Sequence, residues 1–190
     1  MNLNLRSILL VAAVLWAPFA RSAPPAAGVA EPSPQGTYGD WSLYSFDENG
    51  RTVCYLASRM LSSSETVTGR TAAYVLITHR PSEGKKGIIS VIAGYPYERA
   101  ASVALKIGRK QFTLFTDRDT AWADDSADPQ IVLAIRGGKS LTVTGRAKGG
   151  LTTTDSYGLK GAAQALTALD QACPMPGKPK PAPRRTKKAK

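Results

Sequence analysis

Tyr38-Gly39-Asp40-Trp41-Ser42-Leu43-Tyr44-Ser45-Phe46 is followed by Asp47-Glu48-Asn49-Gly50, and then by Thr52-Val53-Cys54-Tyr55-Leu56-Ala57-Ser58-Arg59-Met60. This stretch decides the fold class. Asn-Gly between two apolar runs is the strongest short hairpin signal, because both residues tolerate positive φ. Trp41 and Leu43 fall on one face of the first predicted strand. Cys54, Leu56 and Met60 fall on one face of the second. The hairpin therefore offers one apolar side to a core and carries one of only two cysteines in the chain.

Working outward, the pattern repeats. Residues 72–78 and 88–93 are apolar on both faces, which predicts strands central in a sheet. Residues 102–107 alternate, with Val103, Leu105 and Ile107 inward. Gly108-Arg109-Lys110 turns them into residues 111–116, a second hairpin. Residues 120–123, 141–146 and 151–155 read as further short strands, and residues 61–70 as a Ser/Thr/Gly loop. Asp128-Pro129 begins a helix over about 129–136, with Asp128 as N-cap, Pro129 as first helical residue and Gly137-Gly138 as the stop. A strand is the alternative there, since the run is β-branched. A second helix is predicted over about 158–172, with Leu159, Ala162, Ala163, Leu166 and Leu169 on one stripe. The predicted fold is mainly β: an antiparallel sandwich or open barrel of about eight strands with two short helices.

The ends of the 190-residue chain differ from its middle. Arg6, the apolar run from Ile8 to about Ala20, and Ala20-Arg21-Ser22 have the order of a cleavable secretory signal over residues 1–22. The run is short for a membrane span, which needs roughly 20 residues, so the mature chain is expected to carry no transmembrane segment. No cysteine stands near the cleavage site to receive a lipid. Residues 23–36 read as a Pro/Ala-rich linker and residues 37–173 as the folded domain. Residues 174–190 read as a disordered basic tail. Lys178, Lys180, Arg184, Arg185, Lys187, Lys188 and Lys190 lie in that tail. Together with Arg6 and Arg21 they account for all but +2 of the formal net charge of +11. The high pI belongs to the tail, and a nucleic-acid-binding fold is not indicated.

An exported chain with two cysteines is expected to join them. Cys173 lies seven residues beyond Leu166, so the stripe of the last helix aims it at the domain body, where Cys54 must be. The predicted Cys54–Cys173 bridge closes a loop of about 120 residues, for which chain entropy gives up to roughly 5 kcal/mol.

Four pieces in order carry a family resemblance: Tyr38-Gly39-Asp40-Trp41 leading to Val53-Cys54-Tyr55; Ile92-Ala93-Gly94-Tyr95-Pro96; Phe112-Thr113-Leu114-Phe115-Thr116 with Ala121-Trp122; and residues 153–161 with Ala172-Cys173 behind them. Over about residues 38–173 the chain resembles the invasion-associated locus B family of exported alphaproteobacterial proteins. The resemblance implies a periplasmic or envelope protein, named for a role in host-cell invasion, with no catalytic residue set to transfer. The basic tail departs from the usual pattern.

Candidate chemistry is sparse. His79 is the only histidine; it lacks a second metal-ligand motif or a nucleophile elbow. Ser82-Glu83-Gly84-Lys85 matches Ser-x-x-Lys without the companion motifs of a serine acylase. Asp117, Asp119, Asp124, Asp125 and Asp128 form one acidic cluster, but Trp122 occupies the position where a calcium loop needs glycine. Tyr95 and Tyr97 are read either as an exposed aromatic contact surface or as caps on the sandwich. No catalytic residue, metal or cofactor is expected. The expected role is a non-catalytic interaction module with an unidentified protein or envelope partner, the tail touching anionic envelope surfaces. The alternative is an enzyme acting on envelope polymers.

Overall fold

The computed structural model describes residues 30–176. Ten strands and two α-helices follow in order: β1 (Ser33–Tyr38), β2 (Trp41–Glu48), β3 (Arg51–Ser63), β4 (Tyr74–Arg80), β5 (Lys85–Ile92), β6 (Ser102–Ile107), β7 (Lys110–Asp117), β8 (Thr120–Trp122), α1 (Asp128–Gly137), β9 (Ser140–Arg146), β10 (Thr152–Gly158) and α2 (Ala162–Ala172). The Asn-Gly hairpin forms as its residues require: Asn49 and Gly50 have φ of 56° and 77°, and β2 pairs with β3 from Glu48–Arg51 to Trp41–Ser58.

β3, β10, β9, β6, β7, β8, β5 and β4 pair in that order, and β4 pairs back onto β3. The result is a closed antiparallel barrel of eight strands: the mainly β, antiparallel expectation and its barrel alternative hold, with the ring closed, and the sandwich alternative does not. The length of β3 makes closure geometrically simple. Its first half pairs with β2, its last residues (Met60 to Ser63) pair with β10, and its opposite edge takes β4 from Cys54–His79 to Arg59–Tyr74. A closed ring leaves none of those eight strands as a fully open edge. β1 and β2 extend from β3 outside the ring. β1 also departs from the expectation of a linker over residues 23–36, since Ser33 to Gly36 pair with β2.

The interior is filled by alternate residues of each strand. Leu56, Val75, Ile77, Ile89, Val91, Leu105, Leu114 and Leu141 are fully buried. Tyr95 and Tyr97, at 4% and 6% exposure, belong to this core and not to a contact surface. Gly145 makes room for them, since a Cβ there would strike the Tyr97 ring. Their rings meet edge to face at 5.4 Å, and burial raises both phenol pKa values above the ordinary tyrosine range.

The helices cover one end of the barrel. Ile131 and Ile135 turn the buried face of α1 into it. Asp128 is not the N-cap; Ala127 holds that position. The Asp128 carboxylate points inward instead and accepts the Ile89 N–H at 3.0 Å. Burial raises its pKa to about 6 against that bond. α2 begins at Ala162, not Gly158, because β10 continues through Gly158 and Gly161 then takes φ +80°. Ala162, Ala165, Leu166 and Leu169 are its buried residues, and the exposed Ala163 leaves the predicted stripe.

The two glycine motifs at either end of the domain lock together. The Asp40 N–H donates to the Lys160 carbonyl at 2.9 Å, and the Lys160 N–H donates to Asp40 Oδ2 at 2.8 Å. A Cβ on Gly158 would land on the Asp40 carboxylate, and one on Gly161 on the Tyr38 carbonyl oxygen. Gly161→Ala combines a left-handed backbone with that collision, so it is expected to destabilise the domain by at least about 2 kcal/mol. Urea unfolding measures this; a loss under about 0.5 kcal/mol, the ordinary surface range, would refute the lock.

Candidate functional site

The barrel has a helical end and a loop end. At the helical end, α1, α2 and β5 bound a cleft of about 360 Å³. Pro129, Val132, Leu133 and Leu166 give it an apolar lining, and Lys86, Arg136 and Asp170 its charged groups. His79, 2% exposed, forms its inner wall. The Gly87 N–H donates to His79 Nδ1 at 3.2 Å, so Nε2 carries the proton and donates to Asp170 Oδ1 at 3.0 Å. Lys86 Nζ lies 2.8 Å from the same carboxylate, and Arg136 reaches its other oxygen at 4.0 Å. Partial burial opposes ionisation of Asp170, but the bonds from Lys86 and His79 together hold its pKa below the usual carboxylate range.

The disulfide positions this cluster. Cys54 and Cys173 are joined, with Cα atoms 6.0 Å apart. Cys54 is the direct cross-strand neighbour of His79, and Cys173 follows Asp170 within one helical turn. The covalent tie therefore holds the end of α2 where Asp170 meets His79.

A second concavity of about 570 Å³ adjoins the first and shares Leu133 with it. The β6–β7 turn contributes Gly108 and Arg109, the start of β7 contributes Lys110, and the α1–β9 turn contributes Gly138 and Lys139. Among the described residues, no carboxylate lies within 4.0 Å of Arg109, Lys110 or Lys139. Leu133, between the two hollows, is 65% exposed. The helical end thus presents one outward leucine flanked by five cations, with Asp170 as the one carboxylate lining either hollow.

Residues 41–170 match the family described as Invasion associated locus B (IalB) protein. The chain belongs to that family. Its fold is also similar to the crystal structure of invasion associated protein b from Bartonella henselae, at 17% sequence identity. That match has a TM-score of 0.51 and covers 74% of this chain and 97% of the other. Comparison with curated proteins returned no match.

In this IalB-family domain the other sequence candidates disperse. Ser82 sits exposed in a 3-10 turn (Pro81–Glu83), and Lys85 pairs instead with Asp125. The aspartates serve turns and backbone: Asp124 holds Ser126, Asp128 holds Ile89, and Asp119 accepts from Thr120. Among the described residues no cluster of three metal-ligating side chains forms, and no helix is long and apolar enough to cross a membrane. The tail candidates Lys178, Lys180, Arg184, Arg185, Lys187, Lys188 and Lys190, and the expected signal at 1–22, lie outside the described residues. No sequence motif marks Lys86, Arg109, Lys110, Leu133, Arg136 or Lys139. Leu133 left a trace, because it falls off the Ile131–Ile135 face and leaves α1 apolar on a second side.

Proposed function

We propose that this IalB-family domain is an exported, disulfide-closed binding module of the cell envelope, recognising an anionic partner through the helical end of the barrel. The observation that carries the reading is the segregation of charge. A folded middle with little net charge places Arg109, Lys110 and Lys139 together without carboxylate partners among the described residues, beside Lys86 and Arg136. Unpaired cations gathered on one face attract polyanions and set salt-dependent association. Export is supported by the sequence of residues 1–22 and by the disulfide, which belongs to oxidising compartments. Among the described residues, no observation favours the enzyme alternative. Both His79 nitrogens bond within the protein, and no Ser, Thr or Cys lines its cleft.

The test is sedimentation of the purified full-length mature protein with washed envelope fragments. Association at 50 mM salt that is lost by 500 mM is expected. Failure to associate at low salt would overturn the reading.

A further inference from the structure

We infer that the helical end docks on an anionic phospholipid surface, with Leu133 entering the headgroup layer and the surrounding cations meeting lipid phosphates. The inference rests on the anionic-partner reading above and names its chemistry.

Three features select a lipid surface over a soluble polyanion. The first is Leu133. It stands 65% exposed between two hollows, with Pro129 and the half-buried Val132 beside it. A soluble polyanion gives this side chain nothing to bury against; a bilayer interface does. The second is the spread of the cations. Lys86 comes from β5, Arg109 from the β6–β7 turn, Lys110 from the start of β7, Arg136 from α1, and Lys139 from the turn before β9. Arg109, Lys110 and Lys139 rim one hollow while Lys86 and Arg136 share Asp170 in the other, so the cations flank an apolar centre on the helix-covered end of the barrel and suit a plane of phosphates. Acidic Asp124 and Asp125 lie before α1, at the end of the helix away from Arg136 and Lys139, and Lys85 pairs with Asp125.

The third feature is where the described chain ends. Asp170 lines the cleft, Cys173 follows it, and the structure stops at Pro176. The chain continues from there into residues 177–190, whose sequence carries seven Lys and Arg. Basic residues close to an anionic leaflet and an apolar anchor are separate signals that add in membrane binding.

The experiment is flotation of the full-length mature protein with vesicles of phosphatidylglycerol and phosphatidylethanolamine, with pure phosphatidylcholine vesicles alongside. Binding to soluble polyphosphate is measured in parallel. Association with the anionic vesicles and not with phosphatidylcholine is expected. Single reversals Arg109→Glu, Lys110→Glu and Lys139→Glu should each weaken vesicle binding roughly 30-fold, about five-fold per charge unit. Leu133→Ser should weaken vesicle binding about ten-fold and leave polyphosphate binding unchanged. All four positions are exposed, and unchanged melting temperatures confirm folding; four independent variants keep the test alive if one fails that control. Vesicle binding indifferent to all four substitutions would place it in the tail and overturn the docking face. Polyphosphate binding without vesicle binding would overturn the lipid inference and leave the anionic-partner reading standing. Neither kind of binding would overturn both.

Discussion

Cys54→Ala combined with Cys173→Ala is expected to lower stability by up to about 5 kcal/mol. For a domain of this size that corresponds to a fall in melting temperature of roughly 10–20 °C. The two cysteines are 119 residues apart in sequence, so the bridge constrains almost the whole unfolded domain. Loop closure on that scale is where the chain-entropy effect is largest. Alanine is the informative replacement, since serine would add two hydroxyls to sites that are both buried and confuse lost cross-linking with polar burial. Thermal melts of the wild type with and without reductant give the second arm. Fully reduced wild type should melt close to the double variant. A loss under about 1 kcal/mol in both arms would show that the unfolded chain is already compact enough to make the tie redundant.

The same variant separates stability from site geometry. Without the bridge, the end of α2 is held to the barrel mainly by Leu166, Leu169 and the bonds of Asp170 to His79 and Lys86. Amide exchange in the last turn of α2 should accelerate more than exchange in the barrel strands, because local opening no longer requires global unfolding. Loosening there moves Asp170 relative to Lys86 and leaves the β6–β7 turn untouched.

Local chemistry was legible in the residues; closure was not. Asn49-Gly50 specified its own turn, and the Pro129 to Gly138 run located α1, although the helix starts at Asp128 with Ala127 as its N-cap. The heptad from Leu166 to Cys173 pointed the second cysteine inward, and the geometry agrees. These signals act over fewer than ten residues. The barrel depends on pairings between distant segments: β10 with the last residues of β3, and β4 with its other edge. Nothing in Ser62 or Ser63 looks like strand, and they extend only because β10 supplies partners. β1 is similar. Its Ser-Pro-Gln-Gly-Thr-Tyr sequence has no apolar alternation, and pairing with β2 holds it. The aromatic loop was ambiguous for a different reason. Tyr95 and Tyr97 can be buried only because Gly145, some fifty residues later, has no side chain. The cationic face was equally non-local, since turns and a helix end contribute its members singly.

Arg70→Ala is expected to cost about 3–5 kcal/mol, the range for breaking one partner of a buried ion pair. Arg70 leaves the loop before β4 and enters the loop end of the barrel. Its Nη1 and Nη2 donate to the two Asp155 oxygens at 3.0 and 2.5 Å, and its Nε donates to the Ala93 carbonyl at 2.8 Å. The guanidinium also lies 4.9 Å from the Tyr95 ring centroid. Burial disfavours its charge, but the bonds to Asp155 more than offset this and raise its pKa. Truncation would leave the buried Asp155 carboxylate with the Ser63 hydroxyl as its remaining side-chain partner. Arg70→Lys restores charge without the planar fork and should recover only part of the loss. Arg70→Met with Asp155→Leu is the deciding variant. Removing both charges leaves neither uncompensated, so this pair should be several kcal/mol more stable than the sum of the two single losses. Simple additivity in guanidinium unfolding would mean that the two side chains act independently. Coupling would mean that one ion pair straps the loop from Ser64 to Ala73 across the barrel mouth. It would then seal the Tyr95 end by charge, as the bridge and helices seal the other.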